Sequence, residues 1–245
     1  MQHSQIVFQS FNTDENLLLE YPKPSVNTIP NWYKNLSSKV IDSKAKLRFA
    51  DFGNKMGITT NATLKKCIPF FDAMTNGYVI QLPCDIEITK TNEGITWKWL
   101  LPEVDNLISV HNDTSYDNFV IPKEFENYVL KWKNYFSIQT PSGYSVLFTH
   151  PQNRLDLPFY TFSGLVDTDT YYKAVQFPFL LKKMTKENIV IPEGTPIAQV
   201  ILIKNEPWIS EHKEYNRTFE IETDWNFYRF ISAYKNKFWK RKSFK

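Results

Sequence analysis

Residues 135–149 read YFSIQTPSGYSVLFT, and their pattern decides the fold. Phe136 and Ile138, then Tyr144, Val146 and Phe148, alternate with other side chains on either side of Pro141-Ser142-Gly143. A period of two is the signature of extended chain with one buried face, and Pro followed by Gly punctuates such runs as a turn. The pattern continues C-terminally through Tyr160–Val166, Ala174–Leu181, Asn188–Pro192 and Ile197–Ile203. A spacing of roughly 8–12 residues between strand signals is that of sandwiches and barrels.

Working toward the N-terminus, Asp85-Ile86-Glu87-Ile88 and Ile95 to Trp99 alternate cleanly around Thr91-Asn92-Glu93-Gly94, a hairpin signal. Gly77 to Pro83 reads as a further strand, and Cys67 to Met74 as either a short helix or an extended lead-in. Residues 101–126 read as loop with one short element, and residues 37–63 as a polar, Lys-rich surface excursion. Three prolines forbid regular structure from Pro22 until Pro30, which can open a short helix carrying Trp32, Tyr33 and Leu36. Residues 1–22 read as one or two strands. The expected fold is mainly β, a single sandwich-like domain over residues 1–245. It comprises an N-terminal extension (1–63) with its short helix, a β core (64–208) and a basic C-terminal helix (225–240). In that helix Phe227, Ile231, Tyr234 and Phe238 form one apolar stripe.

Composition narrows the function classes. The 245 residues are 42% hydrophobic, 16% aromatic and 22% charged, which excludes a disordered or fibrous chain. Seven glycines against 14 prolines and 19 phenylalanines argue against Gly-rich phosphate loops. No apolar run approaches the roughly 20 residues of a membrane span. The opening residues lack a signal-peptide pattern, so a reducing cytoplasm is expected. Cys67 and Cys84 are too few for a disulfide framework, and their apolar neighbours predict buried thiols. Net charge is +3, yet Arg229 to Lys245 contains seven cations and no acid, which leaves −4 on the preceding 228 residues. An acidic body gives no general reason to bind nucleic acid; only the basic C-terminal helix offers one, alongside docking on the sheet.

Three constellations could hold chemistry. His111-Asn112-Asp113 has the His-x-Asp spacing of a facial-triad iron site, with His150 as third ligand and Arg154 placed for a keto-acid carboxylate. The competing reading is a loop histidine beside a turn-forming Asn-Asp pair. Asp167 and Asp169 would share a face if extended, as a cation or acid–base pair does; alternatively they mark a strand end entering a turn. Trp97, Trp99 and Trp132 could form a stacking platform or pack the core. Nucleophile elbows, His-Glu-x-x-His and Cys-x-x-Cys pairs are absent from the sequence, which removes several enzyme classes.

Two resemblances bear on these residues. The segments Lys66–Ala73, Gly77–Ile80, Asp85–Ile88, Thr140–Arg154, Ser163–Asp169 and Ile191–Val200 together resemble a tailed-phage protein family with bacterial relatives, known as a domain of unknown function. That likeness covers residues 22–208 and implies a host-cytoplasmic or virion protein. In addition, Pro141-Ser142-Gly143-Tyr144, then Gly164-Leu165-Val166-Asp167-Thr168-Asp169, then Pro192-Glu193-Gly194 with Ile197-Ala198-Gln199-Val200 is similar to the trimeric dUTPases. The resemblance implies a β-clip topology, Asp167 as water activator, Tyr171 as the nearby aromatic, and His150, Arg154, Asp169 and Lys173 near nucleotide with Mg2+. Two features of that family are missing. His150-Pro151-Gln152-Asn153-Arg154 stands where its Arg-Ser-Ser-type phosphate motif belongs, and no Gly-rich arm ends the chain. The expectation is therefore a non-catalytic binding or assembly protein without cofactor, self-associating or with a protein partner. A dUTPase-like binder or pyrophosphohydrolase with Mg2+ is the alternative, and an Fe2+ oxygenase the second alternative.

Overall fold

Ile86 and Ile88 are fully buried while Glu87 between them and Thr89 after them are half-exposed, as a strand covered on one face requires. The computed structural model describes residues 5–11, 20–38, 63–99, 106–111, 118–214 and 234–245. The protein is mainly β. Its strands are β1 (Val7–Ser10), β2 (Lys23–Pro24), β3 (Tyr78–Gln81), β4 (Ile86–Thr91), β5 (Gly94–Trp99), β6 (Ile108–Val110) and β7 (Phe125–Trp132). They continue as β8 (Phe136–Gln139), β9 (Tyr144–Thr149), β10 (Phe159–Thr161), β11 (Gly164–Val166), β12 (Phe177–Lys182), β13 (Asn188–Ile191) and β14 (Pro196–Lys204). Helices α1 (Asn31–Lys34) and α2 (Ile68–Thr75) are short, and Tyr234–Phe238 forms a π-helical turn. The chain divides into two compact units, residues 1–28 with 76–206 and residues 29–75 with 207–245.

The first unit holds all fourteen strands found among the described residues, in antiparallel sheets of order β11-β9-β14-β3-β2, β10-β12-β7-β6, β13-β4-β5 and β1-β8. Its core is aromatic and aliphatic. Trp132 is fully buried, stacked on Phe179 at 3.9 Å between ring centroids and 7° between planes, with Phe159 edge-on at 5.0 Å. Trp132 therefore packs the core, whereas Trp97 and Trp99 on β5 are half-exposed. At the start of β14, Ile197 drops out of register with β3, and its carbonyl accepts a hydrogen bond from Thr161 Oγ1 at 2.6 Å. Gly77 enters β3 at φ +70°; a Cβ there would lie 2.0 Å from the Val200 carbonyl oxygen, so glycine is required on both counts.

The hairpin expected around Asn92-Glu93 is present, with Thr91 paired to Gly94. Other strands were legible but their partners were not. Strand β8 pairs with β1, whereas β9, which follows it after Pro141-Ser142-Gly143, lies between β11 and β14 in another sheet. The run Tyr160–Val166 breaks at Phe162-Ser163 into β10 and β11, which again join different sheets. The Gly164-Leu165-Val166 and Ile197-Ala198-Gln199-Val200 segments do share one sheet, on opposite sides of β9. Strand β7 had no clean alternation to announce it, because both of its faces contribute buried residues.

In the second unit Tyr33 is buried, its ring 6.0 Å from both Phe70 and Phe71 in near-parallel geometry. Lys65 Nζ lies 4.6 Å above that ring and donates to the Tyr33 and Lys34 carbonyls at 2.7 and 3.0 Å. Of the run Cys67 to Met74, Ile68 onward resolves as helix α2, with Phe71 N–H bonding to the Cys67 carbonyl. Cys67 is exposed, against the expectation of two buried thiols, because it precedes the first turn of α2; Cys84 is buried. The C-terminal segment is tied to α2 by Trp239 Nε1, which donates to both carboxylate oxygens of Asp72, and by the Lys242–Asp72 ion pair. Most of the helix expected over residues 225–240, including Phe227 and Ile231, lies outside the described residues. Among the described residues no helix is long and apolar enough to cross a membrane.

Candidate functional site

Asp167 follows the last residue of β11, so it begins a turn instead of continuing a strand face. Its carbonyl accepts from Thr170 N and Tyr171 N at 3.2 and 2.9 Å, which closes the turn. Its side-chain Oδ1 accepts from Ser145 Oγ at 2.7 Å. Ser145 is fully buried, and Asn205 Nδ2 donates to the same hydroxyl at 2.8 Å. A serine has one proton to give, so the chain Asn205→Ser145→Asp167 commits that proton to the carboxylate while the hydroxyl oxygen accepts from the amide.

Asp169 serves a different donor, accepting from Gly143 N at 2.9 Å. Between the two acids Thr168 is buried and its Oγ1 lies 2.8 Å from that of Thr140, whose own hydroxyl donates to the Tyr144 carbonyl. The two carboxylates thus brace the turn against the start of β9. Tyr171, Tyr172 and Lys173 follow on an exposed segment, with Tyr172 Oη donating back to the Asp169 carbonyl.

His150 lies just past the far end of β9. It is buried, with Nδ1 accepting from Thr161 N at 3.3 Å and Nε2 3.0 Å from the Arg154 carbonyl. Both nitrogens are used by the neutral tautomer protonated on Nε2. Burial pushes the imidazole pKa down, the nearby Lys182 and Arg154 charges add to this, and the bond to the Arg154 carbonyl only partly opposes it. The ring stacks on Tyr160 at 4.9 Å. Arg154 turns back onto Asp156 through Nε and Nη2, a bidentate pair that occupies the guanidinium fork. Gln152 closes the corner: its N–H donates to buried Gln199 Oε1 at 2.8 Å, and its Nε2 donates to Thr149 Oγ1.

Asp167 neighbours Ser145 at one end of β9, and His150 follows the other end. Five residues of strand span roughly 16 Å, so the structure does not bring Asp167 and Asp169 together with His150 and Arg154 in one pocket. His111 is equally remote from His150. A single row Val110–Leu130–Phe179–Thr161 crosses the four-stranded sheet. His111 adjoins its first member and His150 bonds its last, three strand spacings or roughly 14 Å apart. Asp113 lies outside the described residues, and among the described residues no group of three or more His, Cys, Asp or Glu side chains could hold a metal ion.

Sequence reasoning missed Ser145, Asn205 and Gln199, the residues that anchor these corners. Alternation could have marked Gln199, in phase with Ile197 and Ile201, as an inward-facing polar group, but Ser145 is out of phase with Tyr144 and Val146, and nothing local pairs Asn205 with a residue sixty positions earlier.

No family model and no curated protein matches this chain. Solved structures similar to part of it include the native dUTPase of EIAV, at 15% identity and TM-score 0.30, covering 58% of this chain and 85% of that one. Another is a point mutant of the dUTPase from phage phi11 of S. aureus, at 13% identity and TM-score 0.30, covering 58% and 83%. A third is a mutant of the Staphylococcus bacteriophage 80alpha dUTPase with dUpNHpp, at 14% identity and TM-score 0.29, covering 58% and 76%.

Proposed function

We propose that this chain is a non-catalytic binding or assembly protein. One observation supports the reading above others: four candidate groups of the β unit are engaged in bracing the fold, while Tyr171 and Lys173 stand on an exposed segment. Asp167 holds Ser145, Asp169 holds Gly143, Arg154 holds Asp156, and His150 joins the Thr161 and Arg154 backbones. A phosphate-gripping arginine must present its fork to substrate, and this one is chelated by its own neighbour.

The β unit instead offers open edges. Strand β11 has β9 as its hydrogen-bonded neighbour on one side only among the described residues, and its Leu165 is 60% exposed. Val190 on the edge strand β13 is 56% exposed. Unpaired strand edges with apolar side chains are surfaces on which a second chain can pair.

Light scattering over a concentration series, together with incubation with dUTP or dCTP and Mg2+, tests the proposal. Self-association without pyrophosphate release is expected, and Leu165→Lys should shift the assembly toward monomer. Pyrophosphate release that disappears in Asp167→Asn overturns the reading in favour of a dUTPase-like hydrolase. A strictly monomeric protein that captures no partner also overturns it.

A further inference from the structure

Charge is partitioned between the two units. Residues 29–75 and 207–245 carry seventeen cations against eight acids, a net +9, while residues 1–28 and 76–206 carry twelve against eighteen, a net −6. A chain of only +3 overall therefore concentrates positive potential in one unit, and such a concentration attracts polyanions.

Within the cationic unit a cleft of about 560 Å3 is lined by the run Lys65 to Pro69 together with Tyr234 and Lys235. Among the described residues no acid lines it. Lys65 is committed to the Tyr33 and Lys34 carbonyls and to the Tyr33 ring. Lys66 and Lys235 are exposed, and Tyr234 beside them is 38% exposed. Beyond the cleft, Phe238, Lys240 and Arg241 repeat the combination of aromatic ring and cation on exposed chain.

We propose that this cleft binds single-stranded nucleic acid, with Lys66 and Lys235 on phosphates and Tyr234 stacked on a base. The proposal goes beyond the binding role argued above and stands without it. Cations that track a backbone beside a ring that stacks on bases are the two components such recognition needs. An acidic peptide would use the lysines but brings no nucleobase for the tyrosine to stack on.

Fluorescence anisotropy of a labelled oligothymidylate with the full chain tests this. Affinity should fall with salt, and the Lys66→Glu, Lys235→Glu double variant should reduce the slope of log K against log salt by about 1.4, which is two contacts at about 0.7 each for single strands. Tyr234→Ala should weaken binding about tenfold while leaving the slope unchanged. Lys123→Glu, on an exposed turn of the acidic unit, should alter neither. Absence of binding at low salt, or an unchanged slope in the double variant, overturns the proposal. So does polyglutamate binding of equal strength that ignores Tyr234→Ala, which assigns the cleft to acidic peptides. Preferential capture by phosphatidylserine vesicles overturns it in favour of a lipid surface.

Discussion

Replacing His150 separates a structural histidine from a ligand-binding one. In the folded protein its two nitrogens satisfy the Thr161 N–H and the Arg154 carbonyl, while its ring packs on Tyr160 and Phe159. His150→Phe keeps an aromatic ring and abandons both bonds. Each buried polar group left without a partner costs about 1–3 kcal/mol, so the loss of both should be about 2–6 kcal/mol. His150→Ala removes the ring as well and should cost about 1–3 kcal/mol more, the range for full burial of a large side chain. The pH dependence has a definite sign. The folded pKa lies below the unfolded value of 6.5, so the folded state binds fewer protons and His150 stabilises fully only above that value. As pH falls below it toward the depressed folded pKa, that stabilisation is lost, because the protonated Nδ1 would face the Thr161 N–H. Urea unfolding at about pH 7.5 and about pH 5.5 reads both effects. The wild type should lose stability on acidification, and His150→Phe should lose less, since the other histidines cancel in the comparison. A Phe variant within about 1 kcal/mol of wild type at the higher pH, with an unchanged acid response, would falsify the bracing role.

Three further substitutions probe the β unit. Gly77→Ala should destabilise by more than the roughly 1–2 kcal/mol of left-handed strain, because its Cβ meets the Val200 carbonyl, a backbone atom that cannot swing away. Gly143→Ala, also at positive φ but with nothing within 4 Å, should cost the strain alone, and equal losses in the two would refute the steric account. Glu126 is buried and its Oε1 accepts from Met184 N at 3.0 Å and Lys90 Nζ at 3.1 Å. Burial raises its pKa, but those two bonds and the Lys90 and Lys183 charges outweigh it, so the carboxyl sits below its ordinary value. Its stabilisation is present above the unfolded pKa and lost as pH falls through the folded one. Glu126→Gln should therefore cost about 1–3 kcal/mol near neutrality and progressively less in acid; a constant difference across the titration would contradict this.

The phage-family and dUTPase resemblances pointed to Asp167 and to the His150–Arg154 segment, and both turned out to be organised corners of the sheet. Their organisation came from residues that no motif named. Ser145 lies twenty-two positions before Asp167 and Asn205 sixty after Ser145, so only the register β11-β9-β14 brings the three together.

What the sequence by itself determined is local: extended runs where apolar residues alternate, the two-residue turn joining β4 to β5, and a helix opening after Pro30. These follow from steric preferences and side-chain period, which act within a few residues. Only the tertiary structure decided that β8 leaves β9 to pair with β1, that Cys67 faces solvent, and that burial pushes the His150 imidazole pKa down. Those outcomes depend on which distant groups share a dry interior, where an unpaired polar atom is costly. Such pairings are settled when the sheets close over their core, and no window of neighbouring residues contains them.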